Sequence, residues 1–394
     1  AQRGAEAKFI RAHHYFLLVQ LFGAVDLQLS ETKVPTKEVS RAPVSEVYAA
    51  IIQDLQEAIP NLEAKAKSSD YGRATRPAAE HLLGRVYLTR ATSPAGSAAD
   101  YASAEPLLKN VINNYGLRLL PDFGDVHRFG NEINDEVIWS VQYTRDPLTN
   151  GGGNNAHVFF LMEYDIQPGM IRDTQNGRPF KRYKPTTYCL ETVFGERVND
   201  SRYKKSFVDH FLANRPGTYN TTFDPTKQKV TYQVLTPSRY TEKLYPSLNK
   251  HLDPGRVDRT QFQGGRDYIA MRLADTYLLL AEAQFRQGKV AEATETINVV
   301  RRRAAFPGRS SQMEITPSQM TFEFLTEERA RELIGEQTRW LDLKRWGILV
   351  ERVKAFNPQG APNIQDFHTL RPIPQNQIDR AEGGASAFPQ NPGY

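Results

Sequence analysis

The residues best suited to chemistry crowd into one stretch, 145–266. Phe159, Phe160 and Tyr164 follow the run Gly151-Gly152-Gly153-Asn154-Asn155; Arg172, Asp173, Asn176 and Arg178 come close behind, then Tyr183 and Tyr188. A second group comprises Tyr219, Tyr232, Tyr240, Tyr245 and His251. Aromatic faces bury the C–H surface of a sugar ring. Amides, carboxylates and guanidinium groups then read hydroxyls, most strongly where a charge assists the hydrogen bond. The mixture suits noncovalent recognition of a polar, ring-shaped ligand. Phe160, Tyr164, Arg178, Tyr183, Tyr188 and Tyr240 are the candidate contacts, against the competing role of a loop tyrosine as a packing anchor.

Covalent and metal chemistry find less support. No Gly-x-Ser-x-Gly elbow, His-Glu-x-x-His pair or phosphate-binding loop is present. His13 and His14 are adjacent on a helical pattern, so they face different directions. The single cysteine, Cys189, excludes an internal disulfide framework and a cysteine-rich zinc site. A glycosidase needs two carboxylates at a set separation. Pairs such as Glu163/Asp165 exist, but nothing distinguishes one pair among 45 acids. A protein without catalysis, cofactor or bound metal is expected.

Charge sharpens this. The 394 residues hold 50 Lys/Arg and 45 Asp/Glu, a net +5 that is too small for nucleic-acid binding as the main task. Residues 145–266 alone hold 19 Lys/Arg against 12 Asp/Glu, so the basic excess is local to the aromatic stretch. An acidic ligand, a solvated face and a partner surface all fit that excess. No apolar run approaches the roughly 20 residues that cross a bilayer.

Helical segments flank this stretch on both sides. Phe9, Ala12, Phe16 and Val19 recur at helical spacing up to Gly23. Further amphipathic helices are predicted over Pro43–Ile59, Pro77–Ala91, Tyr101–Asn114, Tyr268–Arg286, Val290–Arg303 and Leu325–Val350, with one strand over Glu136–Val141. Ala281, Gly288 and Ala293 fall where a tetratricopeptide repeat places small residues so that two antiparallel helices approach closely, and Gly84, Tyr87 and Ala104 match the same template. The chain opens inside a helical pattern, which leads us to expect a missing upstream segment.

The segment Glu328-Arg329-Ala330-Arg331-Glu332-Leu333 through Glu336, Arg339-Trp340-Leu341-Asp342-Leu343 and Arg345-Trp346 resembles the signature of the SusD/RagB family. Gly335 and Gln337 depart from it, standing where Phe and Gly are frequent. Arg11–Gly23, Ser45–Leu62, Gly72–Leu88, Tyr183–Thr186, Asp200–Arg202, Asp267–Ala283 and Leu370–Pro374 resemble further family segments in the same order. Glu332, Arg339, Trp340, Asp342, Arg345 and Trp346 are expected to specify the fold, with the acids and arginines pairing along one helix. Trp139, in the strand-like run, is expected to be structural too.

The resemblance implies a mainly α, SusD-like fold of tetratricopeptide-type helical hairpins with a long loop-rich insertion carrying short strands. It implies one domain over 1–394, divided into an N-terminal helical half (1–144), a ligand-binding insertion (145–266), a C-terminal helical half (267–350) and a tail (351–394). It also implies a cell-surface lipoprotein of the outer membrane, held by a lipid anchor outside this chain. Such a protein captures an oligosaccharide or polysaccharide and delivers it to a SusC-like TonB-dependent transporter. A peptide-binding RagB-like member of the same family remains open, as does, further off, a tetratricopeptide protein-binding scaffold.

Overall fold

The structure is a computed structural model that describes residues 1–66, 68–167, 169–212, 214–215, 231–233 and 240–394. Tyr219 lies outside the described residues, and Tyr232 is described only as strand backbone. The chain forms two compact units. One comprises Ala1–Gly116, Leu279–Ala293 and Thr338–Tyr394; the other comprises Leu117–Leu278 and Thr294–Gln337.

The first unit is built from helix pairs. Helix α1 (Gln2–Phe22) buries Ala5, Phe9, Ala12, Phe16 and Val19 on one stripe, as their spacing requires. It runs antiparallel to α2 (Val44–Ala58): Arg11 grips Asp54 with two bonds of 2.7 Å, and Lys8 meets Glu57. Helix α3 (Arg76–Ala91) starts with Pro77 in its first turn, where a missing N–H costs nothing. It pairs antiparallel with α4 (Ala99–Asn114) through Glu80–Asn110 near one end and Arg90–Asp100 near the other. The small residue at 84 has a steric cause: a Cβ there would stand 2.7 Å from Leu108 Cδ2. Ala104, Ala281 and Ala293 are fully buried, as small contact residues of helical hairpins should be.

The end of α1 is finished by distant residues. Arg371 N–H donates to the Leu21 carbonyl at 2.7 Å, and the Asn391 amide donates to Phe22 O at 3.0 Å and Arg371 O at 2.8 Å. Arg41 reaches the same Phe22 carbonyl at 2.9 Å and Asn391 Oδ1 at 2.6 Å. In the same unit Arg345 lies buried between Asp342 and Glu282, and the Trp346 indole N–H donates to Glu282 at 2.8 Å. Trp340 instead leaves 38% of its surface exposed.

The second unit contains the loop-rich stretch and three two-stranded antiparallel sheets among the described residues. Val137–Val141 pairs with Tyr268–Arg272. The predicted helix over 268–286 therefore begins only at Leu273. Tyr268 and Ile269 pair with Val141 and Ser140, and that partner outweighs a helical pattern in the sequence. Trp139 is buried within this sheet.

The predicted long helix over 325–350 is three helices: Phe322–Glu332, Arg339–Arg345 and Leu349–Phe356. The first break falls where Gly335 (φ +75°) and Gln337 (φ +62°) are left-handed. A Cβ at residue 335 would stand 2.1 Å from Leu248 Cδ2, so Gly is required there on two counts. Gln337 has no such freedom and carries a strain of about 1–2 kcal/mol. Gln337→Gly is expected to stabilise the protein by about 0.5–1 kcal/mol, after the extra entropy that glycine gives the unfolded chain. A chemical denaturation curve unchanged or shifted to lower denaturant would refute this.

The break redirects the acids of this segment. Of the expected pairs along one helix, Asp342–Arg345 is present at 3.0 Å. Glu332 touches three arginines instead: Arg272 at 2.7 Å, Arg202 at 3.1 Å and Arg303. Glu328 meets Arg202 at 2.7 Å, and Glu336 meets Arg272 and Lys250, each at 2.7 Å. Asp200 and Glu136 complete the cluster at 2.7 Å from Arg202 and 3.0 Å from Arg272. Burial pushes the Glu332 carboxyl up, but the three arginines outweigh it and hold it down at about 2.

Candidate ligand-binding site

A backbone arrangement brings the site's rings together. Phe180 N–H donates to Val158 O at 2.8 Å; Arg182 and Tyr183 N–H both donate to Phe159 O, at 2.8 and 2.9 Å. The segment 180–183 is thus laid along the end of the short helix Ala156–Phe159. Behind it, the Tyr164 hydroxyl donates to Gly177 O at 2.6 Å and accepts from Asp173 N–H at 3.1 Å. Arg256 donates to Thr174 O at 2.6 Å. These bonds fix the turn that presents Arg178.

The result is a continuous row of rings in the second unit. Phe262 lies 6.5 Å from Phe180, and Phe180 lies 6.5 Å from Phe159. Phe159 meets Tyr183 edge-on at 6.1 Å, and Tyr183 meets Phe160 at 5.3 Å. Phe160 stacks on His251 at 5.2 Å, and His251 stacks on Tyr268 at 6.2 Å. Every spacing is within the range of attractive ring contacts. The Arg178 guanidinium sits over Phe180, 5.2 Å from the ring centre. Tyr183 is 58% exposed and Phe262 37% exposed, so part of the row faces solvent.

His251 lies between Phe160 and Tyr268 in the row. Its Nε2–H donates to the Gly335 carbonyl at 3.0 Å, and burial lowers its pKa to about 4. At neutral pH it is therefore an uncharged stacking surface, tied to the break in the signature segment.

The structure separates the candidate contacts. Phe160 and Tyr183 are neighbours in the row, and Arg178 sits over Phe180 two rings along from Tyr183. Tyr164 is corrected: it is wholly buried, stacks on Phe211 at 5.4 Å and offers no face to a ligand. Tyr188 and Tyr240 pack, with Phe160, on a cluster of Leu190, Val193, Phe194, Tyr203, Phe207 and Leu248. Their hydroxyls are both 2.9 Å from carboxylates, Glu327 for Tyr188 and Glu191 for Tyr240. Arg172, Asp173, Asn176 and Asn154 hold the loops through Asp165, Asn214, Asp173 and Arg266 O.

Phe180, Phe262 and Tyr268 were missed. The alternation of cations and rings in Arg178-Pro179-Phe180-Lys181-Arg182-Tyr183-Lys184 was the signal for the first. The example pair Glu163/Asp165 is engaged with cations, Glu163 with Lys181 at 2.7 Å and Asp165 with Arg172 at 2.8 Å. The arrangement offers apolar faces and cations for noncovalent binding.

Comparison with known proteins decides the family. The model of the SusD family matches residues 135–394, and that of a SusD-like family described as starch-binding and associating with the outer membrane matches residues 1–88. The chain belongs to the SusD family. This SusD-family chain is 26% identical to SusD-like protein P25 of Formosa agariphila, over 95% of this chain and 70% of that one. It is 24% identical to the starch-binding protein SusD of Bacteroides thetaiotaomicron, over 99% of this chain and 72% of that one. Among solved structures it superposes on a laminarin-binding SusD-like protein with a TM-score of 0.73 at 24% identity, covering 99% of this chain and 78% of the other. The surface glycan-binding protein A of Bacteroides thetaiotaomicron, in complex with laminarihexaose, gives 0.72 at 20% identity, covering 98% and 77%. These likenesses establish the mainly helical SusD-like fold. Among the described residues no helix is long and apolar enough to cross a membrane.

Proposed function

We propose that this SusD-family chain binds an oligosaccharide at the outer-membrane surface, through the aromatic row around Tyr183, and delivers it to a SusC-like TonB-dependent transporter. The observation that carries the proposal is the row itself. Seven rings follow one another at 5.2 to 6.5 Å, with Tyr183 the most open. A sugar ring seated on such faces buries its C–H surface, and Arg178 is placed to read its polar edge. Relatives named for binding starch, laminarin and laminarihexaose support a glycan over a peptide. A lipid anchor would hold the protein to the membrane.

The test is a screen of the purified protein against glycan and peptide libraries, followed by Tyr183→Ala on the best hit. Loss of one exposed stacking face is expected to weaken glycan binding by roughly ten- to thirtyfold, from the area and ring contact it removes. The melting temperature should stay within about 2 °C, because the ring is mostly outside the core. Peptide binding with no glycan hit would sink the proposal, as would a Tyr183→Ala protein that binds glycan normally.

A further inference from the structure

We propose that the ligand of this row is an anionic glycan, whose carboxylate or sulfate groups are read by Arg178 and Arg182. This rests on the glycan-binding reading above. Four cations, Arg178, Lys181, Arg182 and Lys184, fall within seven residues that contain no acid. Two of them are neutralised: Lys181 by Glu163 at 2.7 Å and Lys184 by Glu242 at 2.5 Å. The remaining acids of 160–184 are engaged elsewhere. Asp165 holds Arg172 at 2.8 Å, and Asp173 accepts from the amides of Asn214 at 2.7 Å and Asn176 at 3.1 Å.

Arg178 and Arg182 therefore make no ion pair among the described residues. Arg178 is half-buried, its guanidinium over Phe180; Arg182 is exposed, and its N–H is bonded to the Phe159 carbonyl in the middle of the row. A guanidinium on a ring face keeps its edge N–H groups free for a second partner. A planar carboxylate or a sulfate satisfies that edge bidentately, which a sugar hydroxyl cannot. The excess charge is also where the ligand's rings would stack. A neutral glycan would use the faces and leave the charges of Arg178 and Arg182 uncompensated.

Three oligosaccharides of similar length provide the test: laminarihexaose (neutral), an oligogalacturonate (carboxylate) and a carrageenan oligosaccharide (sulfate), with Kd measured by calorimetry. At least one acidic ligand is expected to bind roughly tenfold or more tighter than the neutral one, and to weaken as salt rises from 50 to 500 mM. Which acidic arm binds identifies the anion. The double variant Arg178→Gln/Arg182→Gln should cut the acidic-over-neutral preference by roughly tenfold, and Arg178→Lys/Arg182→Lys should restore only part of it, because lysine keeps the charge but not the bidentate edge. Equal or tighter binding of laminarihexaose, or a double variant that keeps the preference, overturns the anionic assignment. In either case loss of binding in Tyr183→Ala leaves the glycan reading standing. If no glycan binds and Tyr183→Ala changes nothing, both fall together.

Discussion

Glu332→Ala is expected to remove about 3–5 kcal/mol of unfolding free energy, the cost of breaking a buried ion cluster on one side only. Against the 5–15 kcal/mol of a typical domain this is roughly a fifth or more of the total. Glu332 is fully buried and touches Arg202, Arg272 and Arg303. Arg202 and Arg272 are themselves buried, so each would keep its charge and lose one counter-charge without gaining water. Glu332→Gln should be nearly as costly, because the amide keeps the shape but not the charge. Denaturant unfolding of the three proteins checks this. A loss under about 1 kcal/mol in Glu332→Ala would mean that the remaining carboxylates rearrange to cover all three arginines.

Lowering the pH from 7 to 4 is expected to destabilise the protein steeply, with the fall beginning near pH 6.5. His127 and His251 are pushed down by burial, to about 3 and about 4, and burial beside Arg256 takes His157 to about 4. Each titrates near 6.5 once unfolded, so below that pH the unfolded state binds protons that the folded state refuses. Each such group contributes up to about 1.4 kcal/mol per pH unit until its folded value is reached. The carboxyls add a second stage. Arginine contacts outweigh burial at Glu332, held at about 2, and the charges around Glu336 hold it well below the ordinary range. Their contribution is intact above the unfolded value near 4.5 and is lost as the pH falls toward 2. Lys250 works at the other end. Burial lowers it to about 8, so the penalty of its buried charge is relieved as the pH rises through that value. Thermal melts from pH 4 to 9 should therefore place the stability maximum above neutrality; a flat melting temperature between pH 5 and 7 would contradict the assignment.

Much of the scaffold was legible because it obeys local rules. The buried stripe of α1 and the close approach at Gly84 follow from spacing and residue size. Of the candidates that the composition of the loop stretch offered, the structure places Phe160 and Tyr183 in the row of rings and Arg178 over Phe180. Tyr164 misled because an anchoring tyrosine and a ligand-facing one look alike in sequence. The Gly177 carbonyl, the Asp173 N–H and the ring of Phe211 distinguish them. Spacing of three and four between Glu332, Glu336 and Arg339 reads as pairing along a helix whether or not the helix continues. Their acids pair instead across 60 residues to Arg272 and 130 to Arg202, distances at which no periodicity operates. The strand at 268–272 was hidden for the same reason, its partner lying at 137–141.

The finishing of α1 by Arg371 and Asn391 has a bearing on how the protein is made. Phe22 and Asn391 are separated by 369 residues. At roughly 5–20 residues per second a ribosome delivers Asn391 some tens of seconds after Phe22. Throughout that interval the carbonyls at the end of α1 lack their final donors, and the apolar stripe beneath them can be covered only by whichever helices have already emerged. The end of α1 is thus sealed only when residues up to 369 positions further along the chain are in place.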